Sequence, residues 1–206
     1  RSSLWPVHHT FVQAKTIMMT PKPEPRARRS IRLRDYDYAS AGAYFVTMVT
    51  RDRQCLFGDV VDGEIRLNHW GQTVRDEWEK SAQIRKEIEL DAFVVMPTHV
   101  PGIDVITDAP ERATGRSPLH SGPTERSLAA FVGGFKSAVT KGIREVSGSP
   151  GTPVWQRNYF EHVIRNEESL HCIQQYIHNN PAQWEFNREN PLAMRPEPKD
   201  AWRMGS

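Results

Sequence analysis

Ile88-Glu89-Leu90-Asp91-Ala92-Phe93-Val94-Val95-Met96 is closed by Pro97, and Gly102-Ile103-Asp104-Val105-Ile106-Thr107 follows within a few residues. Both stretches are rich in β-branched and aromatic side chains, so both read as strands, over 88–96 and 102–107. Joined by so short a link, the two read as paired neighbours of an antiparallel sheet. Upstream of the pair, Trp70, Val74 and Trp78 recur every four residues after a capping Asn68, the stripe of an amphipathic helix running to about Lys86. Before that helix, Tyr44-Phe45-Val46-Thr47-Met48-Val49-Thr50 reads as a further strand. Downstream, Ser127 caps a second stripe made of Leu128, Phe131, Val132, Phe135, Val139 and Ile143, and Tyr159–Ile164 is the fourth strand.

Two elements lie outside this βαββαβ order. Val60-Val61 and Glu64–Leu67 flank Asp62-Gly63, the dipeptide that supplies the positive φ of a tight hairpin turn. Asn166 caps a last helix over 167–179, stopped by Pro181. The expectation is an α+β fold of ferredoxin-like plan: an antiparallel sheet with helices on one face, an added hairpin and a C-terminal helix. Gly133-Gly134 inside the second stripe weakens that helix and asks for a close packing partner.

Only 38% of the 206 residues are apolar and 15 are proline, so part of the chain lies outside any core. Pro21-Lys22-Pro23-Glu24-Pro25 forbids helix, and residues 1–35 read as a mobile basic arm. Residues 108–126, rich in Pro, Ser, Thr and Gly, read as a disordered loop, and 185–206 as a polar tail. Met18 or Met19 reads as the native start. The formal net charge is only +2, yet 22–34 carries six basic residues against one acid and 126–157 carries five against one. Such clustering suits a polyanion. Arg26, Arg28, Arg29, Arg32 and Arg34 on the arm, with Lys136, Lys141 and Arg157 beyond it, are the candidate phosphate contacts. No run of 18 apolar residues predicts a membrane span, and no N-terminal apolar stretch predicts a secretory signal. Cys55 and Cys172, 117 positions apart, form neither a metal motif nor a disulfide framework and read as buried thiols in a reducing cytoplasm.

Tyr176 and Asn180 stand four apart in Tyr176-Ile177-His178-Asn179-Asn180-Pro181, so both side chains leave one face of the last helix. A phenol is a nucleophile and an amide oxygen is a ligand for a hard cation. His99, after the strand that ends at Met96-Pro97, is a candidate metal ligand.

Five stretches in this order resemble the REP-associated tyrosine transposases, a branch of the HUH single-tyrosine transposases. They are Arg29–Tyr38 with Gly42-Ala43-Tyr44-Phe45-Val46-Thr47; Phe93-Val94-Val95-Met96-Pro97-Thr98-His99; Phe135-Lys136-Ser137-Ala138-Val139-Thr140; Trp155–Asn166; and Tyr176–Pro181. The resemblance spans about Arg28 to Pro191 and makes residues 36–184 a transposase domain. It implies a bacterial mobile-element enzyme that binds hairpin-bearing single-stranded DNA in the cytoplasm, as monomer or homodimer. In that chemistry the tyrosine attacks a phosphate, stays joined to the 5′ side and leaves a free 3′-OH. The resemblance assigns Tyr176 as nucleophile, and His99 and Asn180 as ligands of Mg²⁺ or Mn²⁺.

The family pairs two histidines across one hydrophobic residue, whereas this chain reads His99-Val100-Pro101. Proline offers no ligand atom and no N–H to a strand ladder. Asp104 has the wrong strand parity to replace it without a bulge, and His162 and His178 are the other histidines at hand. The expectation is therefore a weakened metal site and impaired cleavage. The alternative is a catalytically inactive, sequence-specific hairpin-DNA-binding protein. A third reading, an RNA-binding sheet, would need Tyr44-Phe45-Val46 displayed as a stacking surface.

Overall fold

The computed structural model describes residues 37–107, 127–148, 151 and 153–203. The arm with its five candidate phosphate-contacting arginines, and the loop 108–126, lie outside the described residues.

The elements in order are β1 (Gly42–Val49), β2 (Gly58–Val61), β3 (Glu64–Leu67), α1 (His69–Ile84), β4 (Ile88–Phe93), β5 (His99–Ile106), α2 (Leu128–Ser147), β6 (Phe160–Ile164) and α3 (Glu167–Asn179). The main sheet runs β4-β5-β1-β6, every pairing antiparallel. This is the ferredoxin-like order, and the fold is α+β as expected. β2 and β3 form a separate hairpin, with Asp62 at φ 55 and Gly63 at φ 75 supplying the two left-handed turn residues. Asn68, Ser127 and Asn166 each cap their helix by accepting a backbone N–H through the side chain.

The largest departures from the sequence reading of the strands are at the end of β4 and the start of β5. β4 stops at Phe93 instead of Met96, after a register shift between Leu90 and Phe93. β5 begins at His99 instead of Gly102. Here the chain reverses tightly: Met96 N–H donates to the His99 carbonyl (2.9 Å) and Val94 N–H to the Pro101 carbonyl (3.2 Å). Within a strand the N–H and C=O of one residue point the same way, so the missing Pro101 N–H also faces this reversal, beyond the end of β4. That geometry explains why proline is tolerated in a strand with neighbours on both sides.

The sheet is covered on both faces. Tyr44, Val46, Met48, Val100 and Ile106 pack against Val74 and Trp78 of α1 and Leu128, Phe131, Phe135, Val139 and Ile143 of α2. The opposite parity, Phe45 and Ile103, packs against Ile173 and Ile177 of α3. Each such buried side chain contributes roughly 1.5–3 kcal/mol. Gly102 is required by this packing, since a Cβ there would meet the Trp78 ring at 2.5 Å. The Gly133-Gly134 pair has a different rationale from the one expected. Gly133 faces open space, while Gly134 admits the Arg85 guanidinium, which donates to the Ala130 carbonyl. The close approach of α1 to α2 is at Gly142, whose added Cβ would stand 2.8 Å from the Thr73 methyl.

One further expectation is corrected, and the third reading is set aside. Cys55 is exposed and Cys172 half-buried, because one lies in the β1–β2 connection and the other flanks the buried stripe of α3. Tyr44, Phe45 and Val46 are at most 2% exposed, so the centre of β1 offers no aromatic stacking surface and the RNA-binding reading loses its platform. Among the described residues no helix is long and apolar enough to cross a membrane.

Candidate active site

Helical spacing puts Ile173, Tyr176, Ile177 and Asn180 on the stripe of α3 that meets the sheet. Strand parity puts His99 on the same sheet face, since it alternates in phase with Ile103. The expected nucleophile and both expected ligands therefore converge beneath α3. Tyr176 packs edge-on against Phe45, ring centroids 6.1 Å apart. Asn180 lies close enough to act on both partners, partly offsetting the effect of burial on the His99 imidazole and on the Tyr176 phenol.

His99 is 1% exposed, and burial lowers its pKa to about 3, so it is a neutral imidazole. One ring nitrogen, Nδ1, lies 3.2 Å from Thr98 Oγ1, whose hydroxyl also reaches the Glu189 carbonyl at 3.0 Å. Trp184 stacks on the ring at 6.2 Å. Asn180 Oδ1 accepts from Asn187 Nδ2 at 2.9 Å, and Asn180 Nδ2 is buried without a partner. The Tyr176 hydroxyl donates to Glu197 Oε1 at 2.9 Å. Burial first, and the Glu197 carboxylate second, push the phenol well above its ordinary value. Burial also raises the Glu197 carboxyl.

Every contact just described, apart from those among Tyr176, Asn180, His99 and Thr98 themselves and the packing on Phe45, comes from the segment after Pro181. Asn187, Glu189 and Glu197 were invisible to sequence reasoning, which treated 185–206 as a polar tail, and Trp184 was read only as the end of the domain. The segment is anchored by Glu197 N–H donating to the Phe186 carbonyl (2.7 Å) and by Trp202, 5% exposed against Phe45 and Phe160. A tryptophan in a polar, proline-punctuated stretch was the available signal.

The residues present do not fit a resident divalent ion. Mg²⁺ and Mn²⁺ favour octahedral shells of several oxygen and nitrogen donors. Here Pro101 supplies none, which leaves His99 and Asn180 Oδ1 of the expected set, and among the described residues no group of three His, Cys, Asp or Glu side chains converges. Neither spare histidine repairs the set. His162 pairs with Phe45 and lies under Trp202, ring centroids 4.3 Å apart, whereas His99 pairs with Val49, four residues along β1. His178 is exposed on the outer side of α3. Asp104 is on the α1–α2 face, as its parity requires, with both carboxylate oxygens buried and unpartnered.

The remaining basic candidates are not brought to Tyr176. Lys136 and Lys141 lie on α2, across the sheet, and with Arg144 and Trp155 they line a cleft of about 510 Å³. Lys136 donates two of its three ammonium protons to the Gln156 and Asn158 carbonyls at 3.0 Å each, and burial lowers its pKa to about 8. Lys141 is exposed and faces Glu145 at 3.8 Å, and Arg157 is exposed.

No protein-family model matches the chain. The structure of the REP-associated tyrosine transposase bound to a REP hairpin is similar, with a TM-score of 0.49 and 24% identity, covering 74% of this chain and 73% of that one. A crystal structure of a candidate transposase from Deinococcus radiodurans gives a TM-score of 0.38 at 23% identity, covering 72% of this chain and 95% of the other. An uncharacterized protein of Haemophilus influenzae is 38% identical over 167 residues, which cover 77% of this chain and 90% of the relative. That identity, sustained over nearly the whole length of the relative, makes this chain a member of the same family as the Haemophilus influenzae protein.

Proposed function

We propose that the chain is a DNA strand transferase of the REP-associated tyrosine transposase type, acting on hairpin-bearing single-stranded DNA. The observation that supports this reading most is the convergence, under α3, of the three residues that the five motifs single out: Tyr176, Asn180 and His99. Tyr176 attacks the scissile phosphate and remains joined to the 5′ side, and a 3′-OH is released. The basic arm and the exposed Lys141 and Arg157 hold phosphates. The work is done in the cytoplasm, by a monomer or homodimer. Pro101 leaves a divalent ion poorly held, and cleavage by this chain is correspondingly slow.

A second reading, hairpin binding without cleavage, is favoured by the incomplete ligand set. One experiment separates the two. The full chain is incubated with an end-labelled single-stranded hairpin and Mg²⁺ or Mn²⁺, then resolved under denaturing conditions. A protein–DNA adduct that Tyr176→Phe abolishes supports the enzyme. Tight binding with no adduct, in this chain and in Pro101→His alike, supports the binding protein.

A further inference from the structure

The Tyr176 hydroxyl has one partner whose chemistry bears on its reactivity. Glu197 Oε1 accepts its hydrogen bond at 2.9 Å, and the position of that carboxylate is set by its own backbone, whose N–H is held by the Phe186 carbonyl at 2.7 Å. From these two contacts we infer that Glu197 is the general base of the strand-transfer step, the group that takes the phenol proton as Tyr176 attacks. This inference rests on the proposed function and adds to it a catalytic residue from the segment after α3.

The chemistry requires such a group. A neutral phenol is a poor nucleophile near neutral pH, and its conjugate base is disfavoured here by burial and by the neighbouring carboxylate. Full ionisation before attack is therefore costly, and transfer of the proton during attack avoids it. A base must stand within hydrogen-bond reach of the proton it takes, and Glu197 does. In the step, the bond from phosphorus to Tyr176 Oη forms as the bond from phosphorus to the 3′ oxygen breaks. The phenol proton passes to Glu197, and the departing 3′ oxygen gains one proton from solvent, which Glu197 later returns. The exchange needs no oxidant, reductant or high-energy cofactor.

The charged groups around Glu197 fit the role. Arg188 lies near enough to favour the carboxylate, Glu189 opposes it, and burial outweighs both, so Glu197 titrates above the ordinary carboxylate range. A base in that condition holds a proton more firmly than an exposed glutamate would.

The test is the rate of adduct formation on a labelled hairpin by four full-length proteins: the parent, Pro101→His, and each of these carrying Glu197→Gln. Glutamine keeps a carbonyl oxygen to accept from Tyr176 and cannot take up a proton. Glu197→Gln is expected to slow the Tyr176-dependent adduct by about 10²-fold. It is also expected to abolish the fall in rate that the Glu197 parent shows as pH drops through the raised carboxyl pKa. An adduct that depends on Tyr176, yet forms at the same rate and with the same pH profile in Glu197→Gln, would overturn the assignment of Glu197 alone. A faster Glu197→Gln would overturn it too, by making the contact a restraint on Tyr176. No adduct from either Glu197 protein would overturn the strand-transfer reading itself, and the role of Glu197 with it.

Discussion

Pro101 is the residue on which the chemistry turns. It shares strand parity with His99 and so presents its ring to the α3 face, but it carries no donor. Pro101→His should place a second imidazole beside the first and raise Mn²⁺ affinity by about tenfold or more, measured by isothermal titration calorimetry. An unchanged affinity would show that His99 is not a ligand. Asp104, on the other face, makes a separate prediction. Burial raises its carboxyl well above 3.8, so the folded chain keeps this proton to higher pH than the unfolded chain, which loses it above about pH 4. Its effect on stability is absent below pH 4 and grows unfavourably as pH rises toward the folded pKa. Asp104→Asn, of equal size, should gain on the parent by up to about 1.4 kcal/mol per pH unit across that window. Urea unfolding at pH 4.5 and pH 8 measures it, and equal midpoint differences at the two values would refute the buried-acid argument.

Among the elements, the site depends on how three layers are spaced. Trp78 of α1 reaches the sheet only because Gly102 lacks a Cβ, and the indole also stacks on Phe93 at 5.2 Å. Gly102→Ala should therefore cost roughly 1–3 kcal/mol by overpacking, seen as a lower urea midpoint. An unchanged midpoint would mean that the indole turns aside freely. On the other face, α3 starts at Asn166, whose side chain accepts from Ser169 N–H at 2.8 Å. Asn166→Ala should cost about 1 kcal/mol. The loss should register as faster amide exchange in the first turn of α3 than in α2; uniform acceleration across both helices would show that the cap acts on global stability only.

For the molecule as a whole, the Tyr176 face and the Lys136–Lys141 cleft lie on opposite sides of the sheet, so phosphates near the chemistry must be held from elsewhere. The basic arm is the candidate. Deleting residues 1–34 should weaken hairpin binding and flatten the dependence of log K on log salt by about one unit for each phosphate the arm had neutralised. The urea midpoint should stay where it is. Unchanged affinity and slope would exclude the arm from the interface.

Element order, the hairpin turn, the helix caps and the shared face of Tyr176 and Asn180 were all legible along the chain. They follow from local periodicities of two and 3.6 residues and from turn and capping chemistry, which act between near neighbours. Strand parity was equally legible, which is why Asp104 was correctly set on the face away from His99. Long-range packing settled the rest. β4 ends early because the chain reverses against β5, which no local propensity states. The Lys136 ammonium is held by two carbonyls twenty or more residues away, a restraint on that cation that no local pattern announces. Above all, Glu197 and Asn187 lie 21 and seven residues from the side chains they meet. They sit in a stretch with no periodicity to read, held there by Trp202 against Phe45 and by the bond from Glu197 N–H to the Phe186 carbonyl.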